Sequence, residues 1–189
     1  MTKRELRHIY RQKRTAIDPR EKLKLDDLLL IQLQQFYFPD VRVLFTYWPM
    51  AGSSEPNTHL FNAYLRHSIP MLNIAFPRAN FDSRDMQAIL IKEDSVYKTS
   101  DYGITEPSAG EVVDPAAIDL VFVPLLICDK EGNRVGYGKG FYDKFLMHCR
   151  EDVIKIGFSY FEPVEKIDDS NAFDVPLNYC VTPQHLYEF

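Results

Sequence analysis

Between residues 132 and 143 the chain runs Gly132, Asn133, Arg134, Val135, Gly136, Tyr137, Gly138, Lys139, Gly140, Phe141, Tyr142, Asp143, so four of its eight glycines fall within twelve residues. Glycine tolerates positive φ and lets a ligand approach the backbone with no Cβ in the way. Successive exposed N–H groups in such a loop form an anion-binding nest. Arg134 and Lys139 add full positive charges suited to phosphate oxygens. A strand is expected just before the loop and a helix just after it, and a helix N-terminus adds about half a positive charge. Asp143 sits there either to hold a metal ion beside phosphates or as a carboxylate stabilised by the helix dipole. The chemistry suggested is phosphate binding and transfer, against the plainer reading of a flexible surface turn. The loop is neither GxxxxGK[ST] nor GxGxxG, because the last glycine spacing differs.

A second group of charges lies at the start of the chain. Thr2 and Glu5 form a capping-box pattern, and Leu6, Ile9, Tyr10 and Ile17 recur at helical spacing. Arg4, Arg7, Arg11 and Arg14 follow at steps of three and four, with Lys3, His8 and Lys13 adding charge. By charge alone such a face is a solvated surface or an RNA-binding arm. The net charge of -5 and a pI near 5.5 argue against a general nucleic-acid binder. The five histidines, His8, His59, His67, His148 and His185, have no zinc spacing. Cys128, Cys149 and Cys180 are odd in number with no CxxC, which reads as a reducing compartment. The basic N-terminus lacks an apolar signal core, and no apolar run approaches the ~20 residues of a membrane span. A cytoplasmic protein with no membrane partner is expected.

These residues need a scaffold. Asp18 and Pro19 stop the first helix and start a second, marked by Leu23, Leu28, Ile31 and Phe36 and ending before Phe38. Strands are expected over 41–47, 71–76, 86–91, 119–124, 153–158 and 178–181. A third helix opens at Pro56 and buries Leu60, Phe61, Tyr64 and Leu65, and a fourth spans about 142–149. Residues 95–115, broken by Gly103, Pro107, Gly110 and Pro115, read as loop with short elements. The alternation predicts a single three-layer α/β/α domain over 1–189 with a mostly parallel sheet. Its 189 residues and 46% apolar content suit one such domain, expected to be a monomer.

The pattern is specific enough to resemble a known family. Pro124, Asp129 and the run 132–143 are similar to the signature of the 5-formyltetrahydrofolate cyclo-ligases. Lys3, Arg4, Leu6 and Arg7 match that family's opening basic helix, and Glu55 with Thr58 its acid after the first strand. Pro77, Arg78 and Met86 match the next two strands. Tyr102, Gly103, Ile104, Glu106 and Pro107 match a Y-x-I-x-EP element. Phe173, Asp174, Val175 and Pro176, followed by Thr182, resemble the C-terminal HD…T pattern. The likeness covers nearly the whole chain. Four departures stand out: Tyr137 replaces a frequent basic residue, Phe141 a Tyr, Phe173 a His, and Pro163 or Glu162 an expected Gln.

The resemblance implies an architecture like that of phosphosugar isomerases and CoA transferases. It also implies ATP- and Mg²⁺-dependent closure of 5-formyltetrahydrofolate to 5,10-methenyltetrahydrofolate. ATP would phosphorylate the formyl oxygen, N10 would attack, and phosphate would leave. On this likeness Lys3, Arg4, Arg7, Arg134, Gly136, Gly138, Lys139, Gly140 and Tyr142 bind ATP, with Lys139 and Arg134 acting during transfer. Met50, Glu55, Tyr137, Phe141 and Tyr142 face the folate, and Asp143 and Asp174 hold the metal. Read without it, Glu55 is a residue initiating the helix at Pro56, Asp174 starts a loop, and the aromatic residues and Met50 are packing. Arg11 and Arg14 stay with the solvated surface. An ATP-using paralogue with another acceptor is the alternative enzyme reading.

Overall fold

The computed structural model describes residues 1–100 and 103–189, so Tyr102 of the Y-x-I-x-EP element lies outside the described residues. Helix α1 (Lys3–Thr15) starts from a complete capping box. The Thr2 N–H donates to Glu5 Oε2 at 2.9 Å and the Glu5 N–H donates back to the Thr2 hydroxyl. Helix α2 (Pro19–Leu33) has Asp18 as its cap and proline in its first turn. It ends earlier than the sequence suggests and buries Asp26, Leu29 and Leu33, while Leu23 and Ile31 are exposed. The run Leu28, Leu29, Leu30, Ile31 is apolar all round, so it fixes no helical phase by itself.

The remaining elements follow in order. They are β1 (Val43–Phe45), α3 (Thr58–Ser68), β2 (Asn73–Asn80), β3 (Asp85–Leu90), β4 (Tyr97–Thr99), β5 (Thr105–Pro107) and β6 (Val112–Val113), then β7 (Leu120–Val123), β8 (Ile127–Cys128), β9 (Arg134–Val135), α4 (Phe141–Leu146), β10 (Ile154–Phe158), β11 (Tyr179–Val181) and β12 (Leu186–Glu188). Eight strands form one sheet in the order β12-β11-β10-β7-β1-β2-β3-β6. Its five central strands are parallel, and β3, β6 and β12 add antiparallel edges. β12 was not expected from the sequence, and α4 is two residues shorter than expected.

Burial follows the two-residue period of a strand. Leu44 and Phe122 face α2 and α3, where Leu29, Leu33, Phe61 and Phe158 meet them. Phe45, Val121 and Val123 face the opposite side, under Phe145 and Leu146 of α4 and beside the thiols Cys128 and Cys180. All four residues of β7 are buried, as a central parallel strand covered on both faces requires.

Two features place the site. The chain leaves β1 for β2 on one side, while β7, β10 and β11 continue on the other. The carboxyl ends of β1 and β7 therefore flank a topological switch point, where open α/β sheets bind ligands. Above it stands the β8–β9 hairpin, which leads into the glycine loop. Asp129 is buried in its turn and accepts N–H groups of Glu131 (3.0 Å), Asn133 (2.9 Å) and Ile167 (3.0 Å). Leu6 of α1 packs on this hairpin with Ile127, Val135 and Ile167. Asp129→Ala would take the acceptor from three N–H groups, that of Ile167 buried and the other two partly so, and we expect it to lower the unfolding free energy by about 3 kcal/mol in urea titrations.

Candidate active site

Off the switch point opens a cavity of about 630 Å³. Its walls include Lys3, Arg7, Met50, Glu55, Arg134, Gly136, Tyr137, Gly138, Lys139, Gly140, Phe141, Tyr142, Asp143 and Asp174. Of the residues singled out from sequence, Arg4 alone does not line it and is exposed. It follows Lys3 by one residue and so lies about 100° from it around the helix.

One end of the cavity is cationic. Arg134 is buried, and its Nη2 donates to Asp143 Oδ1 at 2.7 Å while its Nη1 donates to the Val175 carbonyl. Burial pulls the guanidinium pKa below its usual value, and the facing Asp143 works in the opposite direction. The Val175 N–H also donates to Asp143 Oδ1, at 3.2 Å, so the segment after Asp174 is clipped to α4. Lys3 pairs with Asp174 Oδ2, which also accepts the Asn171 N–H at 2.7 Å. Two carboxylates distant in sequence are thus brought to one end of the cavity, and among the described residues the second oxygen of each has no partner. Among the described residues Lys139 has no partner and is exposed.

The glycine loop adopts the conformations its composition allows. Gly138 has φ of +87°, and a Cβ there would meet the Arg7 guanidinium carbon at 3.2 Å. Arg7 Nε in turn donates to the Gly136 carbonyl at 2.9 Å. Gly140, at φ of +73°, caps α4 with no side-chain bond. With α4 only six residues long, its dipole adds less than expected, and the loop backbone and cations carry the positive potential.

The other end is apolar around one acid. Glu55 is 5% exposed; its Oε2 accepts the Met50 N–H at 2.6 Å and its Oε1 accepts the Tyr137 hydroxyl proton. Burial, then the nearby Glu55 charge, raises the Tyr137 pKa, which keeps that hydroxyl a donor. Tyr142 stacks on Phe45, and its buried hydroxyl has no partner among the described residues. Phe81 and Phe141 meet edge to face at 5.3 Å.

Sequence reasoning missed three contributors. Arg11 also lines the cavity. Arg14, expected on the surface, is 3% exposed and donates to the Ser53 carbonyl at 2.8 Å, the Leu125 carbonyl at 3.0 Å and the Tyr137 hydroxyl. Its position three residues after Arg11 gave no sign of this. Glu106, on β5, is 7% exposed, lines the cavity and accepts the Ala79 N–H at 2.8 Å. Its place in the Y-x-I-x-EP element was the available signal. A second cavity, also about 630 Å³, lies beside α3 and shares Trp48, and it contains none of the glycine-loop residues. Size does not choose between the two; the chemistry of the walls does.

Burial raises the Glu106 pKa, more than the Ala79 N–H lowers it. Below the unfolded value of about 4.3 both states are protonated. As pH climbs through the higher folded value, the unfolded chain binds fewer protons than the native one, and native stability falls. Glu106→Gln keeps an acceptor for Ala79 and removes the titration. Its stability relative to the parent should therefore rise between pH 4 and pH 7 in pH-dependent urea unfolding.

Comparison with known proteins places the chain in a family. A model of the 5-formyltetrahydrofolate cyclo-ligase family matches residues 1–183. The chain is 28% identical over 156 residues to the 5-formyltetrahydrofolate cyclo-ligase of Mus musculus, covering 78% of this chain and 74% of that one. It is 26% identical over 187 residues to the Mycoplasma pneumoniae protein of the same name, covering 97% and 100%. The solved Aquifex aeolicus 5,10-methenyltetrahydrofolate synthetase superposes with a TM-score of 0.80 at 27% identity, over 100% of this chain and 93% of that one. The Mycoplasma pneumoniae synthetase structure gives 0.75 at 25% identity, over 96% and 98%. With sequence and fold in agreement, the chain belongs to the 5-formyltetrahydrofolate cyclo-ligase family and is an enzyme.

Proposed function

We propose that the chain uses ATP and Mg²⁺ to close 5-formyltetrahydrofolate to 5,10-methenyltetrahydrofolate, releasing ADP and phosphate. The observation that carries this reading is that one cavity joins the cationic glycine loop to an apolar slot holding Glu55. Transfer between two bound ligands depends mostly on positioning and charge neutralisation, so no protein nucleophile is needed.

In this reading the loop N–H groups, Arg7, Arg134 and Lys139 hold the triphosphate. Lys139, unpartnered and exposed, is free to follow the γ-phosphate. Asp143 and Asp174 fit a magnesium ion, because hard oxygen ligands suit it and each keeps a free oxygen. When bound, the ion neutralises phosphate charge. Glu55 accepts N–H groups of the pterin, and Tyr137, Phe141, Tyr142 and Met50 line the slot, as ligand pockets usually require. The formyl oxygen, a poor leaving group, departs as phosphate once phosphorylated, and N10 closes the ring as it loses its proton.

Two of the departures from the family pattern give no ground for another acceptor. Phe173 is 75% exposed and, like Pro163, lies outside the cavity. Only Tyr137 and Phe141 line it, Tyr137 with its hydroxyl bonded to Glu55 and Phe141 as an apolar aromatic wall. The RNA-arm reading loses ground because Lys3, Arg7 and Arg14 are turned onto acceptors of the chain itself.

The deciding test is absorbance of the methenyl product from purified protein, 5-formyltetrahydrofolate, Mg²⁺ and ATP. ATP-dependent product is expected; folded protein that binds ATP and forms none would point to a different acceptor. Lys139→Ala should lower kcat/KM for ATP about tenfold or more, since a charge-assisted hydrogen bond is worth ~1.5–3 kcal/mol. Its Tm should not change, because the side chain has no partner to lose.

A further inference from the structure

We propose that Arg14 is a positioning residue for the substrate-binding carboxylate, fixing Glu55 through the Tyr137 hydroxyl and tying the substrate end of the cavity to α1. The proposal rests on the folate reading above.

Arg14 does not line the cavity, so it acts only through others. Three bonds fix its planar guanidinium, and the three partners come from three segments. Nε holds the Ser53 carbonyl, in the loop that carries Met50 and Glu55. Nη1 holds the Leu125 carbonyl, just past β7. Nη2 donates to the Tyr137 hydroxyl, with the guanidinium carbon 5.5 Å from that ring's centre. A hydroxyl has one proton. Because it accepts from Arg14, that proton goes to Glu55 Oε1. The Met50 N–H holds Oε2. The plane of the carboxylate is thereby set, and its remaining lone pairs are left for a ligand in the cavity.

Charge gives the second reason. A carboxylate this buried requires a nearby positive charge or strong donors. Arg14, relayed by one hydroxyl, is the cation of this network. The helix geometry gives the third. Arg7 and Arg14 are seven residues apart, nearly two turns, and so share a face of α1. They hold consecutive loop residues, Gly136 and Tyr137. One helix therefore orients the anion-binding loop with one arginine and the substrate acid with the other.

The test uses the full chain in the methenyl assay, with folate and ATP varied separately and Tm recorded. Arg14→Met should raise KM for 5-formyltetrahydrofolate about tenfold or more, as loss of a charge-assisted contact does, with KM for ATP changed less than about twofold. Tyr137→Phe, which keeps the ring and its packing, should move the same constant in the same direction. It carries the test if Arg14→Met does not fold. Arg14→Lys should recover part of the loss. Introduced into Glu55→Gln, Arg14→Met should add little further, because the two act as one unit. Additive effects, an unchanged folate KM in Tyr137→Phe, or folate and ATP constants rising together with a fall in Tm would overturn the proposal while leaving the functional reading intact. Parent protein that forms no methenyl product would overturn the reading and the proposal together.

Discussion

The site depends on α1 lying across the glycine loop. The loop has little side-chain bulk of its own to hold it, and Gly132, Gly138 and Gly140 take left-handed backbone conformations. What fixes it is a row of cations from one helix face meeting oxygens already set in place: Lys3 on Asp174, Arg7 on the Gly136 carbonyl, Arg14 on Tyr137 and two further carbonyls. Leu6, on the adjoining stripe, anchors the helix to the β8–β9 hairpin. Apolar packing provides the contact, and directed hydrogen bonds give it one register.

A similar economy holds at the opposite wall. Asp143 Oδ1 takes both Arg134 and the Val175 N–H, so α4, β9 and the segment before β11 share one oxygen. Glu55 shares its two oxygens between the first-strand loop and the glycine loop. Each carboxylate is held by donors of the chain and keeps lone pairs for a ligand. A side chain so held can meet a ligand with little loss of rotamer freedom on binding.

Much of this was legible in the sequence. Glycine density, flanking charge and the following Tyr142 and Asp143 located the loop, because few other backbones need that composition. The capping box at Thr2 and Glu5 was written in residues three apart. What could not be read depended on distant partners. Arg14 is chemically like Arg11 in the string, yet it is buried because Ser53, Leu125 and Tyr137 converge on it. Glu106 is one acid among many until the sheet brings it beside Ala79. Strand direction is set by neighbours and not by alternation, so the antiparallel edges and β12 were not visible. The resemblance grouped Arg4 with Lys3 and Arg7, and the turn of the helix separates them.

The order of the chain has a consequence for its making. Arg7 and the Gly136 carbonyl it holds are 129 residues apart. At ribosomal speeds of about 5–20 residues per second, α1 waits on the order of ten seconds for its acceptors to be synthesised. Until then it is a short cationic amphipathic segment with nothing to dock against, marginal as a helix in water. The parallel sheet cannot close its central strands before β10 and β11 emerge either. The nascent chain is thus assembled late, with α1 made well before its acceptors and among the last elements to find its place, and its exposed phase is the interval in which chaperones would meet it.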